Sequence, residues 1–396
     1  METILYRYNP WWTSDFSMPD VIERTDLLKD IIHLLKSREI IFFTGLRRIG
    51  KTTLMLMTIE KMINQSGIDP MKILYVSLDD YLIEKNNILD VVEEFRKIHR
   101  LKYNEFIYLF LDEITYKQDY DIQLKNLYDN HRVKIFASSS SSSLLKRKKA
   151  FLTGRSRILE LNPLNFAEFL SFRRLEINPQ DSHLTPGYFE EFLKTGGIPE
   201  FVIKNETRYL QDLVDDIIYK DIAAVHGIRD IQLLKDYFLL LMERSGKVVS
   251  INKIASILKI SPDTAKRYLE LFADTYLIYL VNRHGKTNER ILSPKKIYAA
   301  DTGIRALFTG YRDKGSLFEN YIFLQLRRFH PFYVYKNGIE IDFLLSNKIL
   351  IEAKYHPEAL EEKQQNLFDS FSAKEKFIFR SHEDLEKWLG TMPSKP

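Results

Sequence analysis

The segment that most constrains the fold of this chain is 45–52, which reads GLRRIGKT and fits the pattern G-x-x-x-x-G-K-[ST]. A continuous apolar run at 39–44 precedes it, and a helical pattern at 52–64 follows it. In this context the glycines, Gly45 and Gly50, let the backbone wrap closely around phosphates. Backbone N–H groups and the positive end of the following helix attract anions. The segment therefore predicts a phosphate-binding loop, and a chance glycine-rich turn is the weaker interpretation.

Each position of this loop has an expected task in holding a nucleotide. The ammonium group of Lys51 would reach the β- and γ-phosphates, and the hydroxyl of Thr52 would ligate Mg²⁺. We therefore expect ATP and Mg²⁺ as cofactors, with ATP or ADP as the bound partner. The residues expected to contact the nucleotide are Gly45, Leu46, Arg47, Arg48, Ile49, Gly50, Lys51, Thr52 and Thr53.

A second apolar run, residues 106–111, ends in two adjacent carboxylates, Asp112 and Glu113. Asp112 is expected to hold Mg²⁺ through water, and Glu113 is expected to polarise the attacking water as the catalytic base. An ordinary acidic turn at the end of a strand is the alternative interpretation. The phosphate loop favours the catalytic one, because the two patterns occur together in nucleotide-hydrolysing proteins.

The apolar run at 133–138 leads into a run of serines at 138–143. A polar side chain at the end of this strand often touches the γ-phosphate or the water in such ATPases, so Ser138 or Ser139 is expected to do so. Ser139 is therefore counted among the nucleotide-binding residues. A solvated serine-rich loop accounts equally well for most of the run.

Basic residues follow the serines, first at 146–149 and then at Arg155 and Arg157. A run such as 146–149 is usually a solvated surface. A single arginine, by contrast, can stabilise charge during phosphoryl transfer. Arg155 is expected to do this, with Arg157 as the alternative, and the arginine would act within its own chain or from a neighbouring subunit.

The apolar runs at 39–44, 73–78, 106–111 and 133–138 are rich in β-branched and aromatic residues, as in parallel strands buried on both faces. Helical patterns lie between them, so the predicted fold class is α/β, with the parallel sheet of a P-loop NTPase. At roughly 100–200 residues per domain, the chain has room for about two to four domains. Its net charge of +4 is too small to indicate a nucleic-acid partner by itself.

Three absences from the sequence limit the class of protein. The chain contains no cysteine, which excludes disulfides, cysteine-ligated zinc and iron–sulfur clusters. The first residues, METILYRYNPWW, lack the apolar region of a signal peptide. No stretch approaches the ~18 apolar residues that span a bilayer. We therefore expect a cytoplasmic protein without a membrane partner.

Several motifs together resemble a known family. They are GLRRIGKTT, FLDEI, the GR at 154–155, LNPLNFAEFL at 161–170 and GGIPEFV at 196–202. In these the chain resembles, over nearly its whole length, a prokaryotic family of AAA+-like ATPases that is common in archaea and related to replication-initiator and signal-transduction ATPases. Members of that family often carry a C-terminal domain of the PD-(D/E)xK nuclease-like type. The resemblance thus implies an ATPase core followed by such a domain.

A helix-turn-helix pattern occupies residues 248–283. Ser261 is a favourable N-cap for the second helix, and Pro262 suits its first position. A strand pattern follows that helix, as in a winged helix. In such modules the second helix enters the major groove of DNA, so Lys266 and Arg267 are expected to contact phosphates or base edges. A winged helix that serves as a lid or binds a protein is the alternative.

Two strand patterns near the C-terminus carry acidic residues at alternating positions. They are 338–345 (GIEIDFLL) and 349–354 (ILIEAK). Residues that pair across a hairpin must face the same side of the sheet. A three-residue loop, with Asn347 in the left-handed conformation, would therefore place Asp342 opposite Glu352.

The expected pair of carboxylates suggests a metal-dependent site. Asp342, Glu352 and Lys354 resemble the D…E-x-K arrangement of PD-(D/E)xK nucleases. The two carboxylates would bind Mg²⁺, and Lys354 would orient or deprotonate the attacking water. Glu319, on a preceding helical pattern, matches the additional acid that many of these enzymes place beside the metal. A solvent-facing hairpin with a salt bridge between Glu340 and Lys354 is the alternative.

The expected organisation is an ATPase core at 1–165, a helical lid at 166–245, a winged helix at 246–290 and a nuclease-like domain at 295–396. Three functions fit this order. The first is an ATP-dependent protein that processes nucleic acid and has a Mg²⁺-dependent nuclease centre. The second is an ATP-controlled switch that binds DNA or protein and has a silent nuclease-like domain, and the third is a nucleotide-binding module with negligible turnover. The candidate partners are DNA, a second copy of the chain and another protein.

Overall fold

The computed structural model describes residues 1–18, 21–141, 152–355 and 359–392. The chain divides into two compact units, Met1–Asn162 and Pro163–Pro396. The first unit contains the phosphate loop, and the second contains the helix-turn-helix segment and the C-terminal carboxylates. The basic run at 146–149 and the last two serines of the serine run lie outside the described residues.

A five-stranded parallel sheet forms the centre of the first unit. Its strands are β1 (Ile40–Thr44), β2 (Ile73–Ser77), β3 (Ile107–Asp112), β4 (Val133–Ser139) and β5 (Ser156–Glu160). Their order across the sheet is β2-β3-β4-β1-β5. This confirms the α/β prediction, and the four apolar runs correspond to β1 to β4. The strand β5 was not predicted, because it lies at the edge of the sheet and its residues are only partly buried.

Helices connect these strands. In the described part of the unit they are α1 (Glu2–Tyr8), α2 (Thr25–Leu34), α3 (Lys51–Asn64), α4 (Ile88–Ile98) and α5 (Tyr120–Asn130). A capping box begins α4, since the Asn87 side chain accepts from the Asp90 N–H and Asp90 accepts from the Asn87 N–H. Because the strands are parallel, the residues that follow β1, β3 and β4 meet at one edge of the sheet.

The segment after α1 covers the outer edge of the sheet at β2. The Asn9 side chain donates from Nδ2 to the Tyr75 carbonyl at 2.9 Å, and its Oδ1 accepts from the Tyr75 N–H at 2.6 Å. The indole N–H groups of Trp11 and Trp12 donate to the Ile73 carbonyl at 3.2 and 2.9 Å. These side chains take the place of a neighbouring strand. They satisfy backbone groups that would otherwise pair with another chain.

We expect Asn9→Ala to lower the free energy of unfolding by about 1–3 kcal/mol, because two backbone groups of Tyr75 would lose their partners. Equilibrium urea denaturation measures this loss. The matched control is Thr13→Ala, which removes only an exposed hydroxyl that donates to the Pro10 carbonyl. Its effect should stay within about 0.5 kcal/mol. Equal stability of Asn9→Ala and the unmodified protein would show that the edge contacts contribute nothing.

The second unit begins with a helical region. The described α-helices of the unit are α6 (Phe166–Phe172), α7 (Thr185–Thr195), α8 (Pro199–Lys204), α9 (Thr207–Asp216), α10 (Ile231–Glu243), α11 (Ile251–Leu258), α12 (Pro262–Asp274), α13 (Thr287–Leu292), α14 (Thr302–Thr309), α15 (Lys314–Leu326), α16 (Glu362–Ser370) and α17 (His382–Thr391). A π-helical segment, Ile217–Ala224, continues α9. Thus α6 to α10 occupy the region predicted to be a helical lid.

The glycine pair in the GGIPEFV motif is explained by a buried carboxylate. Asp301 accepts from the Gly197 N–H at 2.6 Å and from the Ile304 N–H at 3.0 Å, which caps α14. A Cβ atom on Gly196 would lie 2.1 Å from Oδ1 of Asp301, and the φ of Gly196 is +75°. Burial raises the pKa of Asp301 to about 6, although backbone N–H groups oppose this rise. A side chain at Gly196 would therefore disrupt the contact between Asp301 and the glycine pair.

A three-stranded antiparallel sheet accompanies the two helices of the helix-turn-helix segment. Its strands are β6 (Val248–Val249), β7 (Ile278–Val281) and β8 (Lys295–Ala299), in the order β6-β8-β7. Ser261 caps α12 by accepting from the Thr264 N–H, as predicted. The domain boundary expected between residues 290 and 295 would separate β7 from β8, although these two strands pair with each other.

A four-stranded sheet lies near the C-terminus. Its strands are β9 (Phe332–Lys336), β10 (Ile339–Leu344), β11 (Ile349–Ala353) and β12 (Glu375–Phe379), in the order β12-β11-β10-β9. The hairpin pairs Phe343 with Ile351 and Leu344 with Leu350, which is the predicted register. The left-handed residue of its loop is Lys348, with φ 66°, so the expectation for Asn347 was wrong. A lysine accepts this conformation at a modest cost of strain.

Candidate nucleotide site and C-terminal carboxylate centre

The predicted phosphate loop joins β1 to α3. Gly45 has φ +133°, and a Cβ atom there would lie 2.5 Å from the Leu161 carbonyl oxygen. Gly50 has φ +97° and precedes the first residue of α3, Lys51. Other residues rarely adopt these conformations, so the two glycines are required by the path of the backbone. The loop therefore lies at the N-terminus of a helix, as an anion site requires.

The side chain of Lys51 folds back along this loop. It is buried, and its Nζ donates to the carbonyl oxygens of Gly45 and Leu46, both at 3.1 Å. These contacts hold the positive charge inside the loop. The geometry therefore places the charge where the pattern predicts phosphates, and it is compatible with the task expected of Lys51.

Asp112 is the centre of a buried polar network at the ends of β3 and β4. Its Oδ2 accepts from the Thr52 hydroxyl at 2.6 Å and from the Tyr75 hydroxyl at 3.0 Å. Its Oδ1 accepts from the Ser138 hydroxyl and from the Glu113 N–H. Burial, and then the charge of Asp112, raise the pKa of Tyr75 far above its usual value, so its hydroxyl remains a donor.

This network brings together the two residues expected to hold Mg²⁺, Thr52 and Asp112. Their donor set of one hydroxyl and one carboxylate fits a hard cation such as Mg²⁺. Tyr75 is a member that sequence reasoning missed. The sequence signal for Tyr75 was its hydroxyl within an apolar run. That run forms β2, which pairs in parallel with β3.

Glu113 follows Asp112 in the left-handed conformation, with φ 50°. Its N–H donates to Ser138 Oγ at 2.9 Å, and its Oε1 accepts from the Ser140 hydroxyl at 2.7 Å. Strained backbone of this kind is concentrated at functional sites. The serine contacts orient the carboxylate that is expected to act as the base. Ser140 was not among the predicted site residues.

The two candidate serines at the end of β4 differ in their contacts. Ser138 contacts both Asp112 and Glu113, whereas Ser139 Oγ lies 3.2 Å from the Thr115 hydroxyl. Both side chains are fully buried. Ser138 is therefore the serine that the structure brings to the acidic pair, although Ser139 was the residue counted as nucleotide-binding.

Arg155 lies at the end of the sheet where β1 begins, whereas the phosphate loop lies at the end where β1 finishes. Its carbonyl accepts from the N–H of Ile40, the first residue of β1, whereas the loop follows the last residue of β1. Five residues of strand rise about 16 Å. Arg155 pairs with Asp129 at 3.1 Å, and Arg157 pairs with Glu39 at 3.0 Å. The structure therefore does not bring either arginine to the nucleotide site of its own chain.

A parallel sheet with a phosphate loop after one strand and an acidic pair after another defines a P-loop NTPase. The family model described as "AAA domain" matches residues 37–170 of the chain. A second model, described as "Domain of unknown function (DUF8612)", matches residues 187–315. The chain thus carries an AAA domain, which supports ATP binding and hydrolysis in the first unit.

The chain belongs to the same family as the uncharacterized protein MJ1544 of Methanocaldococcus jannaschii, to which it is 33% identical over 83% of this chain and 77% of that protein. An uncharacterized protein of Haemophilus influenzae is 28% identical over 82% of this chain and 84% of its own length. Both proteins are therefore similar to this one across both units.

Among solved structures, the Walker-type ATPase PABY2304 of Pyrococcus abyssi is similar, with 13% sequence identity and a TM-score of 0.47. The match covers 73% of this chain and 96% of that one. Among the helices of the described residues, none is long and apolar enough to cross a membrane.

The second unit brings Asp342 and Glu352 together on adjacent strands. The Asp342 N–H donates to Glu352 Oε2 at 3.1 Å, and the Ala353 N–H donates to Asp342 Oδ2 at 3.0 Å. Lys354 Nζ lies 3.4 Å from Glu352 Oε1. The three residues of the predicted D…E-x-K arrangement are therefore neighbours. Burial, followed by the charge of Asp342, raises the pKa of Glu352 well above its usual value.

A lysine that was not predicted lies in this centre. Lys296, on β8, is fully buried, and its Nζ is 2.7 Å from Glu319 Oε1, 2.6 Å from Glu340 Oε1 and 3.0 Å from Asp342 Oδ1. The adjacent lysine, Lys295, instead donates to an amide and a backbone carbonyl. Because neighbouring strand residues face opposite sides, two lysines in a row were the available signal that one would point inward.

Lys296 and Glu319 affect each other's charge. Burial alone would lower the pKa of Lys296, but the charges of Asp342 and Glu319 outweigh it and raise that pKa well above its usual value. Burial and the charge of Asp342 raise the pKa of Glu319 to about 7, although Lys296 opposes this rise. The hydroxyl of Tyr298 also donates to Glu319, at 2.7 Å.

The residues of this centre do not fit a divalent metal. The position between Glu319, Glu340 and Asp342 is taken by an ammonium group. The expectation that Asp342 and Glu352 bind Mg²⁺ is therefore not supported by the geometry, even though the two residues are adjacent.

The residues expected to contact DNA lie on the surface of the second unit. Lys266 and Arg267 are exposed on α12, whereas Ala265, Tyr268 and Phe272 on the same helix are buried. The two basic side chains are thus on the solvent-facing side of α12. The guanidinium group of Arg267 lies 5.6 Å from the ring centre of Tyr268.

Proposed function

We propose that this protein is an ATP-controlled switch whose first unit hydrolyses Mg-ATP and whose second unit binds DNA without cutting it. The observation that carries the first part is the network in which Thr52 and Asp112 share a hydrogen bond beside Glu113. The nucleotide site and the basic surface of α12 lie in different units, so ATP would control DNA binding from one unit to the other. An AAA domain whose acidic pair is complete argues against a module with negligible turnover.

The residues of the first unit would divide the work of phosphoryl transfer. Thr52 and Asp112 would hold Mg²⁺, which neutralises phosphate charge when it is bound. Lys51 would stabilise negative charge on the terminal phosphates. Glu113 would take a proton from the attacking water, while Ser138 and Ser140 orient the acidic pair.

An arginine from a second copy of the chain would complete this site. Arg155 and Arg157 are both partly exposed, and they lie near the start of β1, whereas the phosphate loop follows its last residue. An arginine supplied by a neighbouring subunit can stabilise the charge that develops during transfer. We therefore retain self-association, with Arg155 or Arg157 acting in trans, as part of the proposal.

The proposal for DNA depends on α11, α12 and the paired strands β7 and β8, which have the order of elements of a winged helix. In the docking geometry of such modules, the second helix meets the major groove. Lys266 and Arg267 are exposed on that helix, and within the described residues neither forms a salt bridge. They can therefore approach phosphates without first breaking an ion pair.

We expect the double substitution Lys266→Ala with Arg267→Ala to weaken binding to duplex DNA. Because two phosphate contacts would be lost, the slope of log affinity against log salt concentration should fall by about two units. Fluorescence anisotropy with labelled duplex DNA over a series of salt concentrations, with Mg-ATP or Mg-ADP present, measures both quantities.

The matched control for this experiment removes the same charge from the same unit. Arg208, on α9, pairs with Asp212, and Lys220, on the π-helical segment that continues α9, pairs with Asp216. The double substitution Arg208→Ala with Lys220→Ala should therefore leave the salt slope unchanged. An unchanged slope in the α12 variant would mean that this surface binds a protein or packs within the molecule, and the DNA proposal would be abandoned.

The second candidate function, Mg²⁺-dependent cleavage of nucleic acid, has one observation in its favour. Asp342, Glu352 and Lys354 lie side by side on β10 and at the end of β11, as in the nucleases that the chain resembles. We propose a nuclease-like fold for this sheet on that basis. The observation against cleavage is the ammonium group of Lys296, which lies where the metal would be needed.

A further inference from the structure

The carboxylate centre of the second unit is arranged around a lysine. Lys296 has no exposed side-chain area, and its ammonium group lies within 3.0 Å of oxygens from Glu319, Glu340 and Asp342. These acids come from α15 and β10, while the lysine comes from β8. Three acidic side chains from two elements therefore converge on a single cationic atom from a third.

A buried group of acids requires a cation, because like charges at this distance destabilise one another. An ammonium group has three N–H donors and no acceptor. In this centre the ammonium group has three carboxylate partners. Its hydrogen-bonding capacity is therefore matched by these acids, and the usual cost of burying an unpaired charge is avoided.

The neighbouring carboxylate, Glu352, also has donors from the protein. Its Oε1 accepts from Gln364 Nε2 at 2.7 Å, and its Oε2 accepts from the Asp342 N–H at 3.1 Å. Asp342 Oδ2 accepts from the Ala353 N–H. Both oxygens of each carboxylate are thus held by the chain itself, so the pair is ordered without an ion.

We propose that the ammonium group of Lys296 is the resident cation of this centre and takes the place that a divalent metal has in nucleases of the type the chain resembles. The centre is consequently independent of metal ions, and Lys296 excludes them by charge and by occupying the position between the acids. The proposal is separate from DNA binding by α12, and each can fail without the other.

The test measures the binding of Mn²⁺ to the full chain without nucleotide. Electron paramagnetic resonance reports the concentration of the free ion. Asp342→Asn identifies the signal of this centre, because it removes a carboxylate there and leaves the phosphate loop unchanged. When Lys296 is present, Asp342→Asn is expected to change Mn²⁺ binding by less than twofold relative to the unmodified protein. Lys296→Ala is expected to bind Mn²⁺ at least tenfold more tightly than the unmodified protein, and adding Asp342→Asn should abolish that gain.

Lys295→Ala is the control, because it removes an adjacent lysine of the same strand whose ammonium group donates to the Asn282 side chain and to the Arg290 carbonyl. It should leave Mn²⁺ binding unchanged. Thermal denaturation provides a second readout: Lys296→Ala should melt at a lower temperature in metal-free buffer and recover with Mn²⁺, since a ligand of the folded state stabilises it.

Two results would overturn the proposal. The first is saturable Mn²⁺ binding by the unmodified protein that Asp342→Asn removes. The second is a folded Lys296→Ala variant that gains no Mn²⁺ binding dependent on Asp342. If Lys296→Ala fails to fold, the comparison of the unmodified protein with Asp342→Asn still decides the matter, because that comparison does not need the lysine variant.

Discussion

Glu113→Gln is expected to lower ATP turnover by about 10²–10⁴-fold, which is the usual contribution of a general base. Glutamine has nearly the shape of glutamate, and its Oε1 can still accept from the Ser140 hydroxyl, which is 2.7 Å from Glu113 Oε1. The amide, however, cannot take a proton from water. Asp112 and Thr52 keep their hydrogen bond, so nucleotide affinity should change by no more than a few-fold. Steady-state phosphate release measures turnover, and titration with a fluorescent nucleotide measures affinity.

The control for this variant is Glu93→Gln, since Glu93 is an exposed acid on α4 of the same unit. It should hydrolyse ATP at the rate of the unmodified protein. If Glu113→Gln also hydrolyses ATP at that rate, another group is the base. A large loss of nucleotide affinity would instead indicate that Glu113 holds the Mg²⁺ site together rather than acting on water.

Lys51→Ala is expected to weaken ATP binding by about 10²–10⁴-fold. The substitution removes a charge aimed at two phosphates, and each hydrogen bond to a charged group contributes about 1.5–3 kcal/mol. Every 1.4 kcal/mol is about tenfold in affinity, so two lost contacts give the expected range. The carbonyls of Gly45 and Leu46 that Lys51 contacts would also lose a donor. The same fluorescent nucleotide titration measures the affinity.

Lys61→Ala is the matched control, because Lys61 lies on the same helix and pairs with Glu23 at 2.9 Å. It should bind nucleotide normally. Thermal denaturation with and without Mg-ATP supplies a second readout, since a ligand at 100 times its dissociation constant stabilises the folded state by about 2.7 kcal/mol. Stabilisation of Lys51→Ala equal to that of the unmodified protein would disprove the assignment of Lys51 to the phosphates.

Local patterns in the sequence were enough for the phosphate loop and the strands around it. The glycines of the loop have the positive φ angles that the pattern requires, and β1 to β4 lie within a residue of the apolar runs. These features depend on residues that are close in the chain. The same is true of the cap at Ser261 and of the hairpin register that pairs Phe343 with Ile351.

The parts that the sequence did not reveal depend on contacts between distant residues. Tyr75 reaches Asp112 across 37 positions of the chain, and Asn9 covers the Tyr75 backbone across 66. Arg155 has a side chain suited to the nucleotide site, but β1 and β5 run parallel. This places Arg155 beside the first residue of β1, whereas the phosphate loop follows the last one. No periodicity within a short segment carries that information.

The sequence by itself determined that a phosphate loop follows one strand, that two carboxylates follow another, and that Asp342 faces Glu352, because spacing along the chain sets each of these. Only the tertiary structure decided what the acidic centre contains. Lys296 is 46 positions from Asp342, on a strand of a different sheet, and nothing near either residue predicts that they meet. A buried charge must be neutralised by whatever group the fold brings nearest, and here that group is the ammonium of Lys296.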